Sequence, residues 1–241
     1  MKLSTLDALQ AARAARRPVV LVKRIADGEE VLIFKDRAEG ALASDAAAVA
    51  AGRAALESGK SETVETASGK LFVQAFIPPQ RMIVVGAVHI AQALVPMAAM
   101  SGFDVTVIDP RRAFASDSRF PGVTVLTDWP DEAMERLKPD PATAVVTLTH
   151  DPKLDDPALI VALNSDAFYV GSLGSRNTHA KRKARLNEAG ITDAQFARIH
   201  GPVGLNLGGR SPAEIAISIL AQIIQVRSAQ AAEREPRERA A

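Results

Sequence analysis

Apolar positions along the chain follow two rhythms, and the change falls at a pair of prolines. Before them, Val19-Val20-Leu21-Val22-Lys23 and Val31-Leu32-Ile33-Phe34 flank Asp27-Gly28, the pattern of a hairpin, and Lys70 to Phe76 reads as another strand. The chain starts with a mixed polar helical stretch, and Ala46 to Ser58 is an alanine-rich segment of high helix propensity. The connector Phe76-Ile77-Pro78-Pro79-Gln80 suits neither a helix nor a central strand, because each proline lacks an N–H and fixes φ. Beyond it, short β-rich runs alternate with helical stretches: Met82 to Gly86, Val105 to Asp109, Val123 to Leu126, Ala144 to Leu148 and Phe168 to Val170. That alternation predicts parallel βαβ units. A last helix is signed by Ser211 as N-cap, Pro212 at the first helical position and Glu214 closing a capping box ahead of Ile215, Ile219, Leu220 and Ile223.

The expected fold is α/β: a Rossmann-like parallel sheet flanked by helices, with a small N-terminal α+β domain. Residues 1–77 form the small domain, 81–228 the Rossmann-like domain, and 229–241, rich in Ala, Arg and Glu, a disordered tail. Composition narrows the function classes. Hydrophobic residues make up 47% of the 241 positions and charged residues 24%, with a net charge of +1, which fits a folded globular chain. The basic residues are scattered, so a nucleic-acid surface is not expected. No apolar run reaches the roughly 20 residues of a membrane span, and Met1 to Asp7 does not read as a signal peptide, so a cytoplasmic location without membrane attachment is expected. The chain has no cysteine, which excludes disulfides, thiolate nucleophiles and cysteine-ligated metals.

Candidate chemistry concentrates where the first strand of the second domain meets its helix. In Gly86-Ala87-Val88-His89 a glycine turn joins a buried strand to an amphipathic helix, whose free amides and positive dipole end can receive a phosphate near His89. Asp109 ends the next strand, twenty-three positions after Gly86, close to the spacing of about 20 at which an acidic residue meets a ribose hydroxyl. Val88, however, stands where the second glycine of a dinucleotide fingerprint lets the backbone approach a pyrophosphate.

In the strand order 3-2-1-4-5, loops after the strands converge at one edge of the sheet. There His89 and His150 flank a crevice, with Asp109 and Arg111 to one side and Gly174-Ser175-Arg176 opposite. Arg176 offers a planar fork for phosphate, although Ser175 can equally be a helix N-cap with Arg176 solvated. Thr149-His150-Asp151 can supply a general base or contact a ligand ring, with binding the preferred role, or Asp151 can make an Asx-turn into the next helix. His200 and Gly204 lie in a further candidate loop, and Gly208-Gly209-Arg210 in another at the crevice rim. None of the four histidines, His89, His150, His179 and His200, has metal-site spacing, and no protein-ligated metal is expected. No catalytic constellation emerges.

Five ordered segments carry a resemblance. They are Gly86-Ala87-Val88-His89-Ile90-Ala91-Gln92-Ala93-Leu94, Val105-Thr106-Val107-Ile108-Asp109-Pro110-Arg111, Leu148 to Asp156, Tyr169 to Arg176, and Ile199-His200-Gly201-Pro202-Val203-Gly204-Leu205. Together they resemble the XdhC/CoxI family, the maturation factors of xanthine and carbon monoxide dehydrogenases, over about Leu71 to Arg227. The resemblance implies an accessory protein, not an enzyme with turnover: it binds molybdenum cofactor (molybdopterin) and delivers it, after sulfuration, to an apo molybdenum hydroxylase. Its implied partners are that hydroxylase and a cysteine desulfurase; dimers are common in such folds. The family's Gly-Ser-Ser-Pro-Arg stretch and Gly-Gly-Cys segment are absent, so contact between a protein thiol and molybdenum is excluded. Two other readings stay open from the residues alone. One is an NAD(P)-dependent oxidoreductase using Asp109 with Arg111 and Arg112, and the other is a Rossmann scaffold without a ligand.

Overall fold

A computed structural model describes residues 2–116 and 118–234, with side chains up to residue 230. The chain divides into two compact units that meet in sequence between Pro78 and Pro79.

The first unit runs α1 (Leu3–Ala14), β1 (Val19–Arg24), β2 (Glu30–Ile33), β3 (Ala38–Gly40), α2 (Ala46–Ser58), β4 (Glu62–Thr66) and β5 (Gly69–Phe76). Its strands form one antiparallel sheet in the order β3-β2-β1-β5-β4. Residues alternating along the strands fill two cores. Val20, Val22, Ile33 and Val73 pack under α2, and Val19, Leu21 and Leu32 pack with Leu9 and Ala12 of α1. Helix α2 starts at Asp45, whose carboxylate accepts the N–H groups of Ala47 and Ala48, and stops at Gly59 in the left-handed conformation. The hairpin and α2 fall where the sequence pattern puts them. Strands β3 and β4 go beyond it: they are short edge strands, and β4 carries a single aliphatic residue, Val64, so neither has a hydrophobic rhythm to read.

The second unit runs β6 (Arg81–Val85), α3 (His89–Met100), β7 (Asp104–Ile108), β8 (Thr124–Leu126), α4 (Pro130–Leu137), β9 (Thr143–Thr147), α5 (Pro152–Leu163), β10 (Tyr169–Ser172), α6 (Arg176–Glu188), α7 (Asp193–Phe196), β11 (Ile199–His200) and α8 (Pro212–Arg234). All six strands are parallel, in the order β11-β10-β9-β6-β7-β8. This is a Rossmann-like sheet with its first and fourth strands adjacent, as the sequence pattern predicts. The sheet is buried on both faces, so its strands read as continuous apolar runs. Met82 and Val84 of β6 face the layer of α3 and α8, while Ile83 and Val85 face the layer of α4 and α5.

Helix α8 opens as expected, with Ser211 and Glu214 exchanging hydrogen bonds: the Glu214 N–H donates to Ser211 Oγ at 3.3 Å, and the Ser211 N–H donates to Glu214 Oε2 at 2.9 Å. It then continues to Arg234, which corrects the expected tail boundary. Residues 229–234 are helical because Ala, Gln, Glu and Arg are good helix formers, and polar composition alone did not end the helix. The rest of the expected tail, 235–241, lies outside the described residues. No helix among the described residues is long and apolar enough to cross a membrane.

Candidate functional site

The strand order reverses between β6 and β9. From β6 the chain leaves through α3 toward β7, and from β9 it leaves through α5 toward β10, so the two loops part and leave a crevice at the carboxyl edge. The turn at Gly86 and the loop at Thr149 meet at its base. Gly86 has φ +109°, and a Cβ there would lie 2.6 Å from Thr149 Cγ2 and 3.3 Å from the Thr149 amide nitrogen. Only glycine allows both the backbone conformation and the approach.

Ala87 is buried beside this turn, and Val88 is the N-cap of α3 without any side-chain hydrogen bond to the helix. The first turn of α3 therefore keeps amide donors that no cap satisfies. His89 at the first helical position is exposed, and so is His150 on the β9 loop. His150 holds φ +62°, a conformation rare for a residue with a Cβ.

A buried carboxylate explains how that loop is held. Asp155 in α5 is 1% exposed, and it accepts the Thr149 hydroxyl at 2.7 Å, the Thr149 N–H at 3.3 Å and the His150 N–H at 3.1 Å. Burial pushes its pKa above the usual carboxylate range, against the pull of the Thr149 hydrogen bonds and the charge of Arg182. Arg182 is equally buried: its Nη2 lies 3.7 Å from Asp155 and donates at 3.0 Å to the carbonyl of Leu173, just before Gly174. One guanidinium thus ties the β9 loop to the β10 loop. Sequence reading missed this pair because Arg182 sits in the run Lys181-Arg182-Lys183, which looks solvated. The available signal was helical phase, since Arg182 shares a face with His179 and Leu186.

Asp151 is the N-cap of α5, accepting the Lys153 N–H at 3.0 Å, so the Asx-turn reading of this residue describes its local role. Ser175 likewise caps α6 by accepting the Thr178 N–H at 3.1 Å, and Arg176 at the first position of α6 is exposed. This is the local arrangement of the helix-cap alternative: the Ser175 oxygen is engaged with its own helix, and Arg176 faces solvent. Gly174, with φ +145°, lets the loop pass close to Thr178.

The largest correction concerns Asp109. Its spacing marks it as a ribose ligand, yet it has no exposed surface. Its carboxylate accepts the Ala87 N–H at 2.8 Å, the Arg111 N–H at 3.0 Å, and Arg111 Nε and Nη2 at 2.9 and 2.8 Å. Burial opposes ionisation here, but the hydrogen bonds from Arg111 and Ala87 prevail and hold the carboxyl below its usual range. The hydrogen bonds to Asp109 raise the pKa of Arg111 above its usual value, with further attraction from Asp151 and Asp155. The Ala87 amide is thus taken by the chain itself and is not open to a ligand.

His200 and Gly204 do not join the crevice. Strand β11 lies three strand positions from β6, about 14 Å at the usual spacing. His200 stacks flat on Tyr169, with centroids 4.6 Å apart, and burial lowers its pKa. The Gly204 N–H donates to Gln222 Oε1 at 2.8 Å, an atom that also accepts the Tyr169 hydroxyl at 2.6 Å. His179 packs against Gly201 and Phe196, away from the crevice. Leu207, Gly208 and Gly209 line a shallow hollow of about 300 Å³ with Glu214 and Ile217, at the start of α8 and not between β6 and β9. Among the described residues, no group of three His, Asp or Glu comes together in a way that could hold a metal ion.

Comparison with known proteins places a family match on this unit and a structural likeness over nearly the whole chain. A family profile described as the XdhC Rossmann domain matches residues 82–223. The chain is 34% identical over 158 residues to a probable xanthine dehydrogenase subunit from Bacillus subtilis (strain 168), covering 65% of this chain and 46% of that protein. It is 31% identical over 156 residues to the molybdenum cofactor insertion chaperone PaoD of Escherichia coli (strain K12), covering 65% and 43%. The chain therefore spans less than half the length of either curated relative. A crystal structure of a xanthine dehydrogenase from Bacillus halodurans superposes with a TM-score of 0.67 at 26% identity, over 98% of this chain and 70% of that one. The profile runs from the first residues of β6 into α8 and takes in every loop of the crevice, so the chain belongs to the XdhC family.

Proposed function

We propose that this protein is a maturation factor for a molybdenum hydroxylase of the xanthine or carbon monoxide dehydrogenase type, holding molybdenum cofactor in the crevice between the β6 and β9 loops. The observation that carries the reading is the uncapped first turn of α3, at the point of strand reversal, in a domain of the XdhC family. Free amides at a helix N-terminus favour a phosphate, and the pterin cofactor ends in one. The relative named as a molybdenum cofactor insertion chaperone supports the same direction.

The residues present fit such a group. The α3 turn carries no side-chain cap, the nearby Asp109 carboxylate is neutralised by Arg111, and His89, His150 and Arg176 are exposed donors on the surrounding loops. The cofactor, when bound, supplies the metal and the dithiolene sulfurs that the receiving hydroxylase uses. The chain supplies position: the α3 amides would hold the phosphate, and His150, whose N–H is fixed by Asp155, would contact the ring system. The partners are the apo-hydroxylase and, for sulfuration, a cysteine desulfurase.

The test is mass spectrometry and molybdenum analysis of small molecules released from the full chain purified out of cells that make the cofactor. Near-stoichiometric pterin is expected, with a gain in apo-hydroxylase activity when the loaded protein is added. Protein free of pterin, and without effect on the apo-hydroxylase, overturns the reading.

A further inference from the structure

In a dinucleotide crevice, the acidic residue after the second strand points outward and accepts hydrogen bonds from ribose hydroxyls. Asp109 occupies that position and does the opposite. It is fully buried, and each of its oxygens accepts two hydrogen bonds from the chain: Oδ1 from the N–H and Nε of Arg111, Oδ2 from the Ala87 N–H and Arg111 Nη2. A carboxylate offers about four acceptor sites, so none is left for a ligand.

Arg111 is itself fixed. Its guanidinium carbon lies 4.7 Å from the centre of the Phe114 ring. Arg119 then ties this segment back to α3, donating at 2.8 Å to the Phe114 carbonyl and at 3.0 Å to Gln92 Oε1. The chain after β7 is thus held against α3 beside the place where a nucleoside is bound in dinucleotide folds. Val88 adds a side chain where a pyrophosphate needs bare backbone.

We propose that Asp109 and Arg111 determine specificity: they close the β7 side of the crevice to a nucleoside joined through a diphosphate, so a ligand is held by one terminal phosphate and extends toward the β9 loop. The inference rests on the maturation-factor reading and deepens it. To reach this side, a ribose would have to open a saturated ion pair whose carboxylate has no exposed surface.

Calorimetric titration of the full chain tests it with three probes: the pterin cofactor ending in a single phosphate, the form extended by a nucleotide through a diphosphate, and NAD. Wild-type protein is expected to bind the first at least tenfold more tightly than the second, and NAD not at all. Arg111→Ala and Asp109→Asn should shrink that preference to threefold or less. Thermal melts report whether the variants fold. If Asp109→Asn does not, Arg111→Ala, whose side chain reaches the surface, carries the comparison. Equal or tighter wild-type binding of the nucleotide-extended form overturns the inference and leaves the maturation role standing, and so does a preference that a folded variant keeps. Failure to bind either cofactor form overturns the maturation reading, and the inference with it.

Discussion

Gly86 and Thr149 meet so closely that a single Cβ at position 86 would lie 2.6 Å from the Thr149 methyl. This contact joins the two loops that part at the strand reversal, and it makes a separable prediction. Gly86→Ala should cost roughly 2–4 kcal/mol: about 1–2 from the positive φ and the rest from overpacking against Thr149. Adding Thr149→Ser removes the methyl and keeps the hydroxyl that Asp155 accepts, so the double variant should recover the overpacking part and not the backbone part. Urea unfolding of the two single variants and the double measures this. Strict additivity would show that the methyl contact is not the source of the cost.

The ion pair between Asp109 and Arg111 gives a pH dependence. The folded pKa of Asp109 lies below its ordinary value of 3.8. It therefore contributes stability that is present above pH 3.8 and is lost as pH falls through the folded value. Arg111→Ala removes the guanidinium, the strongest of the groups that hold the carboxyl down, and leaves the N–H groups of Ala87 and residue 111. At neutral pH the loss should be roughly 2–3 kcal/mol, less than for a fully enclosed pair because the Arg111 side chain is 38% exposed. The gap between wild type and variant should narrow as pH drops below 3.8. Equilibrium unfolding across that range is the check, and a gap independent of pH would show that the guanidinium stabilises by packing alone.

These two sites also mark the limit of what the sequence discloses. The strand pattern, the Gly86 turn and the Asp109 spacing are local, set by periodicity and by one glycine, and they translate directly into five strands of the sheet; the sixth, β11, is two residues long and has no rhythm to read. The direction of the Asp109 side chain is not local. It depends on Arg111 folding back two residues later and on the Ala87 amide arriving from the turn after β6, and spacing carries neither fact. Arg182 is hidden for the same reason: its charge type says solvent, while its helical phase and the Asp155 carboxylate draw it inside. His200 reads as a site residue because it adjoins a glycine and a proline and lies in one of the five segments that carry the resemblance. In the fold it stacks on Tyr169, remote from the strand reversal.

Gln222 satisfies two donors at once, the Tyr169 hydroxyl at 2.6 Å and the Gly204 N–H at 2.8 Å. Tyr169→Phe removes one donor and leaves the acceptor with the other, so its cost should be about 1 kcal/mol. Gln222→Leu strands both donors, one of them on a buried tyrosine, and should cost roughly 2–4 kcal/mol at about 1–3 for each unsatisfied group that water does not reach. The ranking, read from urea melts, matters more than either value. A Gln222→Leu cost no greater than that of Tyr169→Phe would mean that the Gly204 loop finds another acceptor.

Asp155 should slope the other way from Asp109. Its folded pKa is raised by burial above the ordinary 3.8. Between 3.8 and that raised value the native state binds more protons than the unfolded chain, so the contribution of this group to stability falls as pH rises. Asp155→Asn cannot ionise, and its amide oxygen can still accept from Thr149 or His150. Whatever the absolute cost of the substitution, the stability of Asp155→Asn relative to wild type should therefore improve as pH climbs above 3.8, then level off once Asp155 is ionised in both states. Denaturant unfolding of both proteins at half-unit steps from pH 4 upward traces the curve. A relative stability that worsens over that range would mean that Arg182 and the Thr149 hydroxyl outweigh burial, and that Asp155 is held as a carboxylate more firmly inside the fold than in the unfolded chain.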